Sequence, residues 1–151
     1  MGWAGMKVLV AALLAISMNG SWAGLGSTPA NFGPRILAAQ THTGSTGLAA
    51  YSDVEKKLDS GTVVHEYVDA QGTVFAVSWS GPYLPDLKEI LGTHFQTMVE
   101  HAKKAPRAGR SRLMLKQSDL VIVSGGHMGA FEGRAWLPAK LPGGFDPGDI
   151  K

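Results

Sequence analysis

The chain contains no cysteine. That absence excludes disulfide bonds in an oxidising compartment and removes the thiol a lipoprotein would acylate, so stability has to come from a packed core. Long apolar runs are also scarce. The clearest, Val8 to Ile16, falls within the roughly 7–15 residues of a signal h-region and short of the ~18 needed to span a bilayer. A large excess of one charge is missing too. The formal net charge is +2, part of it from Lys7 ahead of that run, and so small a balance leaves no electrostatic footprint for nucleic acid.

Catalytic and cofactor motifs are incomplete wherever they begin. Val121-Ile122-Val123-Ser124-Gly125-Gly126-His127-Met128-Gly129 opens like a dinucleotide-binding turn, but Ser124 stands where the first glycine belongs. Pro138 then arrives before a crossover helix and a second parallel strand could fit. Ser78-Trp79-Ser80-Gly81 lacks the GxSxG elbow. His65-Glu66 lacks the second histidine of an HExxH helix, and His94 and His101 would lie about 10 Å apart along a helix axis, too far to share one ion. His127-Met128 offers a nitrogen and a thioether that Cu(I) accepts, but adjacent side chains of an extended segment point to opposite faces. The sequence therefore assigns no catalytic residue, no metal ligand and no cofactor.

What is present begins with a leader. Lys7 gives it a positive start, and Ser21-Trp22-Ala23 places small residues where a signal peptidase needs them. Residues 1–23 are expected to be removed, so that the exported chain starts at Gly24, is periplasmic or extracellular, and carries no transmembrane segment. Residues 24–50 are rich in Gly, Ser, Thr and Ala and include Pro29 and Pro34. They read as an extended or mobile arm with Phe32, Ile36 and Leu37 as docking residues.

Residues 51–151 read as a single α+β domain. Thr62–Val68 and Thr73–Trp79 are rich in β-branched and aromatic residues, and Asp69-Ala70-Gln71-Gly72 between them predicts a tight hairpin. Alternation puts Phe75, Val77 and Trp79 on one face and Val74, Ala76 and Ser78 on the other. Tyr51–Leu58 is a weaker strand candidate. Leu87, Ile90, Leu91, Phe95, Met98 and Ala102 follow helical spacing between Pro85 and Pro106, with Asp86 and Glu89 at the start and Lys103 and Lys104 at the end. Leu120–Val123 and Ala130–Leu137 read as strands flanking a Gly-rich turn, and Leu113–Lys116 as a short pairing segment. The expected fold is an antiparallel sheet of about five strands packed on one main helix, its strand order left open.

Several of these passages occur in a familiar order: Gly61-Thr62-Val63-Val64-His65-Glu66-Tyr67-Val68, Val74-Phe75-Ala76-Val77-Ser78-Trp79-Ser80-Gly81-Pro82, Pro85-Asp86-Leu87, Ser124-Gly125-Gly126-His127-Met128 and Phe131-Glu132-Gly133-Arg134-Ala135-Trp136-Leu137-Pro138. They resemble the exported proteobacterial domain of unknown function family number 2844. The resemblance implies a Gram-negative, exported, single-domain protein, and it brings no activity, substrate or site residue.

The functional expectation is a non-enzymatic envelope-binding domain, whose partner would be a protein or an anionic lipid or saccharide. The alternative is a small hydrolase or other enzyme with a site assembled at loops from residues such as Asp86, Glu66 and His127. Two sets of binding residues are expected. The first is Ser124, Gly125, Gly126, His127 and Met128 of the turn over residues 124–129, whose three glycines and histidine exceed what turn chemistry requires, with Trp79, Tyr83 and Trp136 as an apolar wall. The second is a basic patch of Lys103, Lys104, Arg107, Arg110, Arg112 and Lys116, a stretch with no acidic residue among positions 103–116.

Overall fold

The computed structural model describes residues 23–30, 36–43, 50–104 and 112–151. Residues 1–22 of the expected leader, Phe32, Arg107 and Arg110 lie outside the described residues. Seven strands form one antiparallel sheet: β1 (Ile36–Thr43), β2 (Ala50–Lys57), β3 (Val63–Asp69), β4 (Val74–Gly81), β5 (Leu113–Lys116), β6 (Val121–His127) and β7 (Ala130–Trp136), in the order β1-β2-β3-β4-β7-β6-β5. The α+β class holds, with more strands than the expected five or so because Leu113–Lys116 pairs as β5 and part of the 24–50 arm is itself the edge strand β1.

The β3–β4 hairpin forms as its turn chemistry predicts. Asp69 Oδ1 accepts the N–H groups of Gln71 and Thr73 at 2.9 and 2.8 Å, and Gly72 takes the left-handed conformation at φ 81°. The facing of β4 does not follow simple alternation. Tyr67 pairs with Ala76 and Val68 with Val74, so Phe75 is an extra residue in a bulge. The bulge shifts the phase by one: Val74, Val77 and Trp79 pack on one side of the sheet and Phe75 and Ala76 on the other.

The helical stretch after β4 crosses the sheet and returns the chain at the far edge as β5. It begins at Leu87, one residue after Asp86, whose carboxylate caps the N–H groups of Lys88 and Glu89. It is divided into α1 (Leu87–Leu91) and α2 (Phe95–Lys104) by a 3₁₀ turn over Gly92–His94. The N-terminal segment accounts for that break. Leu25 N–H donates to Ile90 O at 2.8 Å, and a Cβ on Gly92 would lie 3.0 Å from Ala23 O. Leu87, Ile90, Leu91 and Met98 are buried as expected, whereas Phe95 is half-buried and Ala102 exposed. They cover Val64, Val77, Trp79, Ile122 and Ala135, and full burial of one such aliphatic side chain contributes about 1.5–3 kcal/mol.

The start of the arm is tied into this core. Leu25 and Ala30 are each 2% exposed, and the backbone of Gly26 and Ser27 exchanges hydrogen bonds with Val74. Ordered structure therefore precedes Tyr51. Ala30 is held by a buried ion pair: its N–H donates to Glu66 Oε1 at 2.7 Å, while Lys56 Nζ donates both to Ala30 O and to Glu66 Oε2. The opposite face of the sheet carries a second cluster in which Tyr67, Phe75 and Ala76 meet Phe145 and Ile150 of the C-terminal segment. Phe145 stands edge-on to Phe75 with ring centroids 4.9 Å apart. No helix among the described residues is long and apolar enough to cross a membrane.

Candidate functional site

The Gly-rich passage is strand rather than loop. β6 continues to His127, which pairs with Ala130, and leaves a two-residue turn of Met128 and Gly129. Gly129 has φ 86° at the second turn position, where a type II turn needs glycine. Gly126 has φ 121°, and a Cβ there would lie 2.2 Å from Ala130 O. Two of the three glycines thus have a local structural cause. His127 is exposed at the hairpin end and its Nδ1 donates to Met128 O at 3.1 Å.

The expected wall is divided. Trp79 is 1% exposed in the helix-side core, lying on Gly133 of β7, where a Cβ would meet its ring at 2.2 Å. Trp136 pairs with Ala76 and Val121, at the end of β7 away from the turn. Gly81 pairs with Phe131, so the link that carries exposed Tyr83 does lie beside the hairpin. The basic residues divide as well. Lys103 bonds Glu100 at 2.9 Å near the end of α2, with Lys104 exposed beside it. Arg112 and Lys116 bracket β5, and Lys116 is on the sheet face opposite buried Leu115.

That second face, where the C-terminal segment leaves it uncovered, holds the candidate site. Pairing places Glu55, His65, Ser78, Arg134, Val123 and Met114 in one row across β2, β3, β4, β7, β6 and β5. The next row contains Ser80, Glu132 and Gly125. Between these rows and the tail is a cleft of about 260 Å3, lined by Ser80, Arg112, Val123, Glu132, Arg134 and Ile150, with Trp79, Gly125 and Lys151 also on its wall. Arg134 lies 5.9 Å from the centre of the Trp136 ring, a cation–π arrangement that orients its guanidinium. Among the described residues neither Arg134 nor Arg112 has a salt-bridge partner. Of the residues on this wall, Arg112, Gly125 and Trp79 are among the candidates read from the sequence, and Arg134 is not. The alternation that separates Arg134 from buried Ala135 is a local signal, but its neighbours across the sheet are not.

His65 lies at the other end of the row. Its Nδ1 donates to Asp53 Oδ1 at 2.8 Å, and Lys151 Nζ is 3.6 Å from Asp53 Oδ2. Burial alone would raise the Asp53 carboxyl, but the His65 hydrogen bond and the charges of His65 and Lys151 outweigh it and hold it below the ordinary 3.8. A hydroxyl nucleophile would have to meet the remaining imidazole nitrogen. Ser78, directly across from His65, is 1% exposed and its Oγ has no hydrogen-bond partner among the described residues, while His65 Nε2 stands 4.0 Å from Glu55 Oε2. The loop-assembled alternative is not gathered either: Asp86 caps a helix, Glu66 holds Lys56, and His127 bonds its neighbour's carbonyl.

A second hollow of about 560 Å3 lies between the N-terminal segment and the end of β7, with Leu25, Leu137, His94, Asp119 and Lys140 on its walls. Burial pushes the His94 imidazole below its ordinary 6.5, Asp119 opposes that and Lys140 adds to it. The unfolded chain then takes up the proton before the folded one. Stability from this group is complete above the ordinary histidine value and is lost as pH falls through it. Thermal melts between about pH 7.5 and 5.5 should show a decline that His94→Gln reduces. An identical pH dependence in the variant would contradict this assignment.

The fold and cleft define a small α+β domain whose open sheet face carries unpaired cations. Residues 21–150 match the family model described as a protein of unknown function (DUF2844), and the chain belongs to that family. No curated protein and no solved structure matches it.

Proposed function

We propose that this protein is exported, loses its leader after Ala23, and acts as a non-enzymatic domain that binds another component of a Gram-negative cell envelope through the cleft at Arg134. The observation that carries the reading is Arg134, a half-buried residue whose guanidinium lies over the Trp136 ring with no salt-bridge partner among the described residues. A cation that lines a cleft without a counter-charge is open to an anionic ligand, and the planar arginine fork is the cation best suited to such recognition. The Asp53–His65 hydrogen bond favours a hydrolase as second reading, in which Ser78 would have to swing onto His65.

The test uses a photo-crosslinking amino acid at Val123 in growing cells. A specific adduct should form on the exported product, whose mass should correspond to a start at Gly24, and Arg134→Gln should abolish it. The same probe at His127 is the comparison. Adducts at His127 and none at Val123 would transfer recognition to the hairpin and overturn the cleft. Labelling of Ser78 by a serine-directed fluorophosphonate would favour the hydrolase.

A further inference from the structure

We infer that the cleft binds a phosphate group, the two arginines Arg134 and Arg112 supplying the charge. The inference rests on the binding reading above and adds the chemistry of the ligand. Arg134 is presented from β7 and Arg112 from the residue preceding β5, two strands away, and both line the same cleft. Each guanidinium offers a planar fork of N–H donors that fits two oxygens of one anion.

The charge in the cleft also points to an anion. The side chains lining the cleft include two arginines and one carboxylate, Glu132, which is exposed and so well screened by water, whereas Arg134 is half-buried. The ammonium of Lys151 is directed towards Asp53 at 3.6 Å. A phosphate ester carries up to two charges and several acceptor oxygens, which matches two separated forks better than a carboxylate does, and the Ser80 hydroxyl adds a neutral donor on the same wall. Val123 and Ile150 supply apolar surface for the carbon skeleton that carries the phosphate. A volume of about 260 Å3 is at the small end of ligand pockets, sized for a phosphorylated headgroup or sugar fragment and too small for an acyl chain.

The experiment titrates the purified exported protein with inorganic phosphate and follows the arginine Nε–Hε signals by NMR. A saturable shift at Arg134 is expected with Kd on the order of 1 mM, because the probe lacks the carbon skeleton. Arg134→Gln and Arg112→Gln should each weaken binding about tenfold or more. Arg112 is exposed, so its variant keeps the fold and remains informative even if Arg134→Gln melts early. Vesicles of phosphatidylglycerol form the second arm. Vesicle binding that inorganic phosphate displaces and Arg112→Gln weakens identifies a lipid headgroup as the source; phosphate binding without vesicle binding identifies a soluble phosphate ester. Absence of a saturable phosphate shift, or a shift that persists in Arg112→Gln and Arg134→Gln, overturns the inference. In either case a surviving Val123 crosslink keeps the cleft as a binding site for another ligand.

Discussion

Glu66→Ala is expected to destabilise the domain by about 3–5 kcal/mol, one of the largest effects of any single substitution here. Glu66 is fully buried and Lys56 is 6% exposed, so neither can exchange its partner for water. The carboxylate accepts from Lys56 Nζ and from the Ala30 N–H, and Lys56 also donates to Ala30 O, which closes a ring of three bonds around one residue of the N-terminal segment. Removing the carboxylate takes the Glu66 charge away from the buried Lys56 ammonium and strips the Ala30 N–H of its acceptor. Both losses act in the same direction. The double change Lys56→Met with Glu66→Leu should recover much of the stability, since the pair's Coulomb attraction mainly offsets its own desolvation. Urea unfolding of the three proteins measures this. A single variant within about 1 kcal/mol of the parent would show that the pair is solvated in solution. Hydrogen exchange at Ala30 should also accelerate in Glu66→Ala, because that amide closes the ring.

Ile90→Asp is expected to cost about 4 kcal/mol or more, enough to unfold a domain of ordinary stability. Ile90 is fully buried in α1, and its own carbonyl accepts from Leu25 N–H, so a charge there disturbs both the helix face and the docked N-terminal segment. Phe95→Asp should cost distinctly less, because position 95 starts α2 half-exposed and the introduced carboxylate reaches water. Equal losses in the two variants would mean that the break at Gly92–His94 does not turn the two helical segments differently against the sheet.

Local elements were legible because their causes are local. The Asp69–Gly72 turn needs one side-chain acceptor and one left-handed glycine, and the capping of α1 needs one carboxylate two residues from an amide. The family was legible from ordered motifs for the same reason, since each motif is a run of neighbours. The bulge at Phe75 was not, because it depends on which residues of β3 face β4, and a shift of one residue sends every side chain beyond it to the other face. Nor was the role of Gly133, whose missing Cβ makes room for an indole supplied by a different strand.

The same division separates the site from the pattern. By itself the sequence determined the strands after residue 50, the principal helical stretch, a hairpin joining β6 to β7 and the absence of disulfides, all of which follow from side-chain periodicity, turn chemistry and composition within short windows. The tertiary structure alone decided that β4 pairs with β7, which sets Ser78 beside Arg134 although the two are 56 positions apart in the chain. It decided likewise that part of a Gly-rich arm is held inside the fold by Lys56 and Glu66. Such contacts are settled by the closing of long loops and the burial of a shared face, and no single segment carries that information.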